Sequence, residues 1–223
     1  LTFVNGSTYT LPSIGTSIDK LITNVIVNPS GYNPLSAYAV MNLPALGRMK
    51  LIVHSKDGYR TPDITHFFRS IEKGQTVTIL GLYPDYTNKV TLIYTDKNGK
   101  ERARSSVDIK TEKLKNPHLP QKTYVITADL SKMEPGMNLI NSPGESEADT
   151  AIPHMIDADG EIRWMLDWAN HPDLNHIDIG CGLSRLKNGN YLSGDGNRHK
   201  LVEINTVGEL VRSWDLGAMG YAF

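Results

Sequence analysis

The sequence predicts an all-β chain: a β-sandwich followed by the opening blades of a β-propeller. Short runs rich in Val, Ile, Thr and Tyr recur through the first half, separated by Asn, Asp, Gly and Pro clusters. An Asn98-Gly99 pair between two such runs marks a hairpin, because both central residues of a tight two-residue turn need positive φ. In the second half, Ile156-Asp-Ala-Asp-Gly-Glu-Ile162 returns 48 residues later as Ile204-Asn-Thr-Val-Gly-Glu-Leu210. A Trp follows each copy, Trp164 and Trp214. A fixed repeat of that size belongs to propeller blades.

Taken in order, residues 1–17 form a lead and residues 18–112 the sandwich. Leu21–Val27 is β-branched and ends at the Asn28-Pro-Ser-Gly31 turn cluster. Met49–His54 ends at Asp57-Gly58, and Thr76–Leu80 and Lys89–Tyr94 follow. Tyr94 leads through Asn98-Gly99 into a strand over Arg102–Ile109. The only helical spacing in this half is Ile64–Ile71, whose apolar positions fall three and four apart. Residues 113–122, with two prolines and little periodicity, read as a linker. Residues 123–223 open the propeller: a partial blade over 136–168 and a full blade over 180–216. Asn141–Thr150 is a polar loop. The full blade runs Cys181–Leu186, a turn at Asn188-Gly189, Tyr191–Ser193, Leu201–Ile204, a turn at Val207-Gly208, and Leu210–Trp214. Propellers close with about 4–8 blades, so the sequence reads as the N-terminal part of a longer protein.

Composition excludes several function classes. With 23 Lys+Arg against 24 Asp+Glu, the net charge of −1 leaves no footprint for nucleic acid or an anionic membrane. One Cys in 223 residues forms neither a disulfide framework nor a Cys-based zinc module. No apolar run approaches the roughly 18 residues of a membrane helix. No basic segment followed by an apolar run starts the sequence, so no export signal is expected within these residues, and a mature chain whose signal has been removed would start in the same way. No strand–Gly-rich–helix context suits a nucleotide, and no cofactor motif is present. Asn5-Gly-Ser7 matches a glycosylation sequon and nothing more.

The order of segments resembles the bacterial arylsulfate sulfotransferases, the exported kind that needs no adenylyl sulfate donor. The strings that carry the resemblance are Val25-Ile-Val-Asn-Pro-Ser-Gly-Tyr-Asn-Pro-Leu35, Ile79-Leu-Gly-Leu-Tyr83 with Asn88-Lys-Val-Thr91, Asp159-Gly-Glu-Ile-Arg-Trp-Met-Leu-Asp167, and Asn188-Gly-Asn-Tyr-Leu192. The resemblance implies an immunoglobulin-like sandwich and a six-bladed propeller. It implies a propeller histidine that takes the sulfuryl group from an aryl sulfate and passes it to a phenol. It further implies a periplasmic homodimer. The family's catalytic histidines lie on later blades, the first shortly after Phe223, so no residue here receives a catalytic role and this chain alone is expected to be inactive. The alternative is a non-catalytic sandwich and propeller binding module on a surface or exported protein. A third class is a propeller enzyme of other chemistry.

The densest titratable cluster is His171, Asp173, His176 and Asp178. It is a candidate metal or channel-mouth group, but its spacing fits no ligand motif and suits a polar loop. Cys181 holds the place where later blades of the family carry a channel-facing histidine. Cys181, His176 and Asp178 are therefore the channel-lining candidates. A small buried hydrophobe is the alternative for Cys181, and no neighbouring His or Lys pattern marks it as a nucleophile. Arg198 and His199 are basic blade-loop residues, which are ordinarily solvated. His54, His66, His118 and His154 receive no role. Trp164 and Trp214 are expected to pack between blades.

Overall fold

The computed structural model describes residues 7–9, 21–116, 119, 129, 131–132, 136–142, 152–177, 182–196 and 198–221, and among these described residues it has fifteen strands and no helix. The chain divides into two units, Leu1–Pro29 with Pro34–Leu114 and Ser30–Asn33 with Lys115–Phe223.

Unit 1 holds two four-stranded antiparallel sheets. One has the order β1 (Ser7–Tyr9), β2 (Ile22–Val27), β3 (Ser36–Met41), β6 (Thr76–Leu80). The other has the order β5 (Ile64–Ile71), β4 (Gly47–Val53), β7 (Thr87–Thr95), β8 (Glu101–Lys110). Side chains alternate along each strand, as the pleat requires. Met49, Leu51 and Val53 of β4 are buried while Arg48 is exposed. With Val90 and Leu92 of β7, Val107 and Ile109 of β8, Val25 of β2, Ala37 and Ala39 of β3, and Val77 and Ile79 of β6, they make the core.

Two local expectations are corrected here. Ile64–Ile71 is a strand, not a helix: its backbone pairs with β4 from Val53↔Ile64 to Gly47↔Ile71. An eight-residue stretch cannot stabilise a helix alone, and a neighbouring strand satisfies every second peptide group. The pairing is interrupted once, by a register shift between Gly47 and Met49. The Asn98-Gly99 turn has positive φ only at Gly99 (φ 82), not at both residues. Asp96 N–H donates to Lys100 O at 3.0 Å and Gly99 N–H to Asp96 O at 2.9 Å. That is a three-residue loop closed by a left-handed glycine. Asp96 Oδ1 accepts the N–H groups of Asn98 and Lys100 at 2.9 and 3.1 Å. Strand β3 was not expected; its Ser-Ala-Tyr-Ala core has weak strand propensity and is held by its neighbours β2 and β6.

Unit 2 holds two antiparallel meanders. The first has the order β11 (Ile162–Met165), β10 (Ile152–Ile156), β9 (Asn138–Ser142). The second runs β12 (Leu183–Arg185), β13 (Tyr191–Asp195), β14 (Lys200–Ile204), β15 (Leu210–Asp215). Strands β12–β15 fall on runs expected from the sequence, whereas β9 includes Asn141 and Ser142 of the stretch read as a polar loop. The three-residue loop of unit 1 recurs at three of their hairpins. Asp157 N–H donates to Glu161 O, Leu186 N–H to Asn190 O, and Asn205 N–H to Glu209 O, at 3.0, 2.7 and 3.0 Å. Gly160, Gly189 and Gly208 each close a loop. An Asx side chain caps the loop amides at Asp157 and at Asn205. The repeated Asx-x-x-Gly-Glu string is therefore one turn used twice.

Trp164 fulfils its expected role. It is buried, its indole N–H donates to Thr206 O at 2.8 Å, and its ring lies 4.9 Å from that of Tyr191, so it joins the two meanders. Trp214 does not: it is part exposed on β15, with Arg212 over its ring at 5.5 Å. Among the described residues its strand carries exposed side chains on both faces. Asn116 and Leu119, in the stretch read as a linker, are buried, and Asn116 Nδ2 donates to Asp167 Oδ1 at 3.1 Å.

Candidate functional site

The polar cluster singled out by the sequence is His171, Asp173, His176 and Asp178, of which His171, Asp173 and His176 lie among the described residues of unit 2. Residues 171–177 coil tightly after β11, with Asn175 N–H donating to His171 O at 3.2 Å and Ile177 N–H to Leu174 O at 3.1 Å. His171 is buried, and its Nδ1 accepts the N–H of Asp173 at 3.0 Å. Its ring leans on Tyr32, with centroids 4.4 Å apart. Burial holds the His171 imidazole below its ordinary pKa of 6.5, against a weaker opposing pull from Asp173.

His176 is largely buried, and its Nε2 lies 2.6 Å from Oδ2 of the buried Asp195. The contact is not a hydrogen bond, and Oδ2 has no hydrogen-bond donor among the described residues. Asp195 Oδ1 accepts the N–H of Arg198 at 3.1 Å, which fixes the carboxylate at the end of β13. The other ring nitrogen of His176 faces Asn175 Oδ1 at 3.2 Å. A nucleophilic imidazole needs one nitrogen lone pair aimed at its substrate. His171 spends a lone pair on a backbone amide, and both nitrogens of His176 face oxygens. The pair positions and anchors; neither ring is presented for attack.

Of the three channel-lining candidates, His176 is described as above, while Asp178 and Cys181 lie outside the described residues. Asp195, the partner of His176, is not among the residues the sequence singled out; nothing in its Gly-Asp-Gly context signals a buried carboxylate. Arg198 and His199 are exposed. Among the described residues no three His, Cys, Asp or Glu side chains gather as a metal site. Trp168 is fully buried, and its indole N–H finds no hydrogen-bond acceptor among the described residues.

The quoted strings acquire physical roles. Ser30 Oγ donates to Val207 O, Asn33 Nδ2 to Thr206 O at 2.9 Å, and Asp167 N–H to Tyr32 O at 2.8 Å. Those bonds seat Ser30–Asn33 in unit 2, against the Gly208 turn. The buried Asn88 accepts the N–H of Tyr83 at 2.7 Å and donates to Tyr83 O at 3.0 Å and Ile109 O at 3.3 Å. That amide ties together the two halves of the Ile79–Thr91 string. His54, given no role, links strands: Nδ1 lies 2.8 Å from Asp63 Oδ2 and Nε2 2.8 Å from Thr91 Oγ1.

An antiparallel sandwich followed by glycine-closed meanders defines an all-β chain with several sheets, none closed into a barrel. Residues 24–112 match the arylsulfotransferase Ig-like domain, and residues 122–223 match the arylsulfotransferase (ASST) family. The chain belongs to the arylsulfotransferase family. It is similar to the arylsulfate sulfotransferase AssT of Lelliottia amnigena, with 26% identity over 234 residues covering 84% of this chain. The chain spans 38% of the length of that relative. Among the described residues no helix is long and apolar enough to cross a membrane.

Proposed function

We propose that this chain is the N-terminal part of an arylsulfate sulfotransferase, which moves a sulfuryl group from an aryl sulfate to a phenol. The observation that carries the proposal is the consecutive match of an Ig-like domain over residues 24–112 and the sulfotransferase family over residues 122–223. The two meanders, with their shared loop, suit successive blades of a propeller whose later blades follow Phe223. The chemistry proceeds in two displacements. An imidazole nitrogen on a later blade bonds to sulfur as the S–O bond to the aryl group breaks, releasing a phenolate. The acceptor phenol then attacks the sulfohistidine, gives up its proton and frees the imidazole. Charge on the transferred oxygens requires preplaced N–H or cationic donors, which the later blades supply. In this role the present chain contributes scaffold, and the whole protein works as an exported, periplasmic homodimer.

The test is turnover of 4-nitrophenyl sulfate with a phenol acceptor. The full-length parent is expected to release 4-nitrophenol and sulfate the acceptor, and residues 1–223 are expected to do neither. A full-length parent that is folded and inactive on aryl sulfates overturns the transferase assignment. Turnover by residues 1–223 alone overturns the placement of the nucleophile.

A further inference from the structure

The outward face of the β5-β4-β7-β8 sheet carries a groove of about 620 Å³ that no step above uses. Cross-strand register builds it. Phe67 lies opposite Lys50, Lys50 opposite Ile93, and Ile93 opposite Arg104, in one row across the sheet. In the next row Arg48 lies opposite Thr95. Arg69 lines the groove from β5.

The row is apolar and aromatic at its floor and cationic around it. Phe67 is 65% exposed, an unusual position for a large ring, and Ile93 lies level with it on the far side of Lys50. The ammonium of Lys50 sits 5.6 Å from the Phe67 ring centroid, so one face of that ring already meets a cation. Arg104 is neutralised by Glu101 through two bonds of 3.0 and 3.1 Å. Arg48, Lys50 and Arg69 form no ion pair among the described residues. Three uncompensated cations around an exposed ring and an aliphatic floor attract a ligand with the opposite layout: a flat apolar body carrying one negative group. Neighbouring rows on a strand stand about 6.8 Å apart, two residues of rise, and neighbouring strands about 4.8 Å. A single aromatic ring resting over Phe67 and Ile93 thus brings an ester-linked anion to the guanidinium of Arg48.

We propose that this groove binds single-ring aromatic anions, with Phe67 and Ile93 holding the ring and Arg48, Lys50 and Arg69 holding the charge. The choice of sulfate as the anion rests on the transferase reading: the groove would then be a second, non-catalytic site for the aryl sulfate donor, on the sandwich. Arg48, Phe67 and Arg69 are exposed and the groove open, so affinity is in the range of about 1 mM.

The experiment is a saturation-transfer NMR titration of the 223-residue chain with 4-nitrophenyl sulfate and cyclohexyl sulfate, with proton-free inorganic sulfate read as a competitor of the aryl sulfate signal. 4-Nitrophenyl sulfate is expected to bind most tightly, and the other two at least about fivefold more weakly. The double variant Arg48→Ala/Arg69→Ala and the single variant Phe67→Leu are each expected to weaken it about fivefold or more, while Lys132→Ala leaves it unchanged. Phe67→Leu retains apolar area, so its loss isolates the ring. Sedimentation of each variant accompanies the titration. Inorganic sulfate binding as well as the aryl sulfate, or unchanged binding in the Arg48→Ala/Arg69→Ala variant, overturns the proposal. So does a silent titration with a dimer that Phe67→Leu dissociates, because a second copy then covers the face. The two proposals fail separately. A parent inactive on aryl sulfates whose groove still binds them loses only the transferase reading; an active parent with a silent groove loses only this one.

Discussion

The fully buried ion pair of unit 2 makes a quantitative prediction. Arg163 Nη1 lies 2.9 Å from Asp157 Oδ2, and neither side chain has any exposed surface. The other carboxylate oxygen accepts the N–H groups of Asp159 and Glu161, each at 3.0 Å, and so holds the loop after β10. Asp157→Asn keeps that oxygen and removes only the charge. The buried guanidinium then loses the charge of Asp157, at a cost of about 3–5 kcal/mol. Asp157→Ala also orphans the two loop amides, each worth about 1 kcal/mol, for a total of about 5–7 kcal/mol. Exchanging both ions, in Asp157→Asn/Arg163→Met, removes the stranded charge and is expected to recover most of the loss, to within about 1–2 kcal/mol of the parent. The assay is urea unfolding followed by tryptophan fluorescence. All three tryptophans, Trp164, Trp168 and Trp214, lie in unit 2, so the signal reports that unit. With a slope of about 1.5 kcal/mol per molar urea, Asp157→Asn lowers the midpoint by about 2–3 M. A shift below about 0.7 M, or a double variant that sums the two single losses, refutes the reasoning.

Three other outcomes follow from the same structure. Gly208 has φ 94, and a Cβ there meets Tyr32 Cβ at 2.8 Å and Leu166 Cδ2 at 3.1 Å, whereas Gly189 has φ 92 and open space. Gly189→Ala is expected to cost about 1 kcal/mol of backbone strain and Gly208→Ala at least about 2 kcal/mol, read as the two urea midpoints. His171 titrates below 6.5, so the unfolded chain binds its proton first. Its contribution is complete above pH 6.5 and is lost as pH falls from 6.5 through the folded value. His171→Gln is expected to flatten urea midpoints between about pH 7.5 and 5.5, and an unflattened profile counts against the buried neutral ring. Glu203 is held below 4.5 by the side-chain amides of Asn190 and Asn188. Its contribution is present above pH 4.5 and lost as pH falls through its lower folded value, so Glu203→Gln is expected to remove part of the acid sensitivity seen in fluorescence below about pH 4.5.

Strand positions in this chain were legible because they depend on neighbours in sequence. Thr76–Leu80 was read to the residue, and the runs of β7, β8 and β13–β15 to within two or three at their ends. Such runs combine β-branched side chains with a turn residue at each end, and no distant partner is needed to recognise them. The repeated turn was equally plain, since Asx and Gly carry its conformation locally. What failed was whatever depended on a partner. Ile64–Ile71 has the spacing of a helix, and only β4 lying beside it makes it a strand. Ser36–Met41 lacks strand propensity, and β2 and β6 impose it. Trp164 and Trp214 look alike in sequence, yet among the described residues only Trp164 of the two is buried.

The candidate site divides the same way. The sequence by itself determined that the chain is all-β, where its hairpins turn, that His171 and His176 share a polar loop, and to which family the order of its segments points. Only the tertiary structure decided that His176 meets Asp195, that His171 is buried against Tyr32, and that Phe67, Lys50, Ile93 and three arginines share one face of a sheet. Propensity and turn chemistry act over a few neighbouring residues, so one string of letters records them. Charge pairing, burial and cross-strand rows depend on residues that the register brings together from distant parts of the chain, and register is set by the packing of whole sheets.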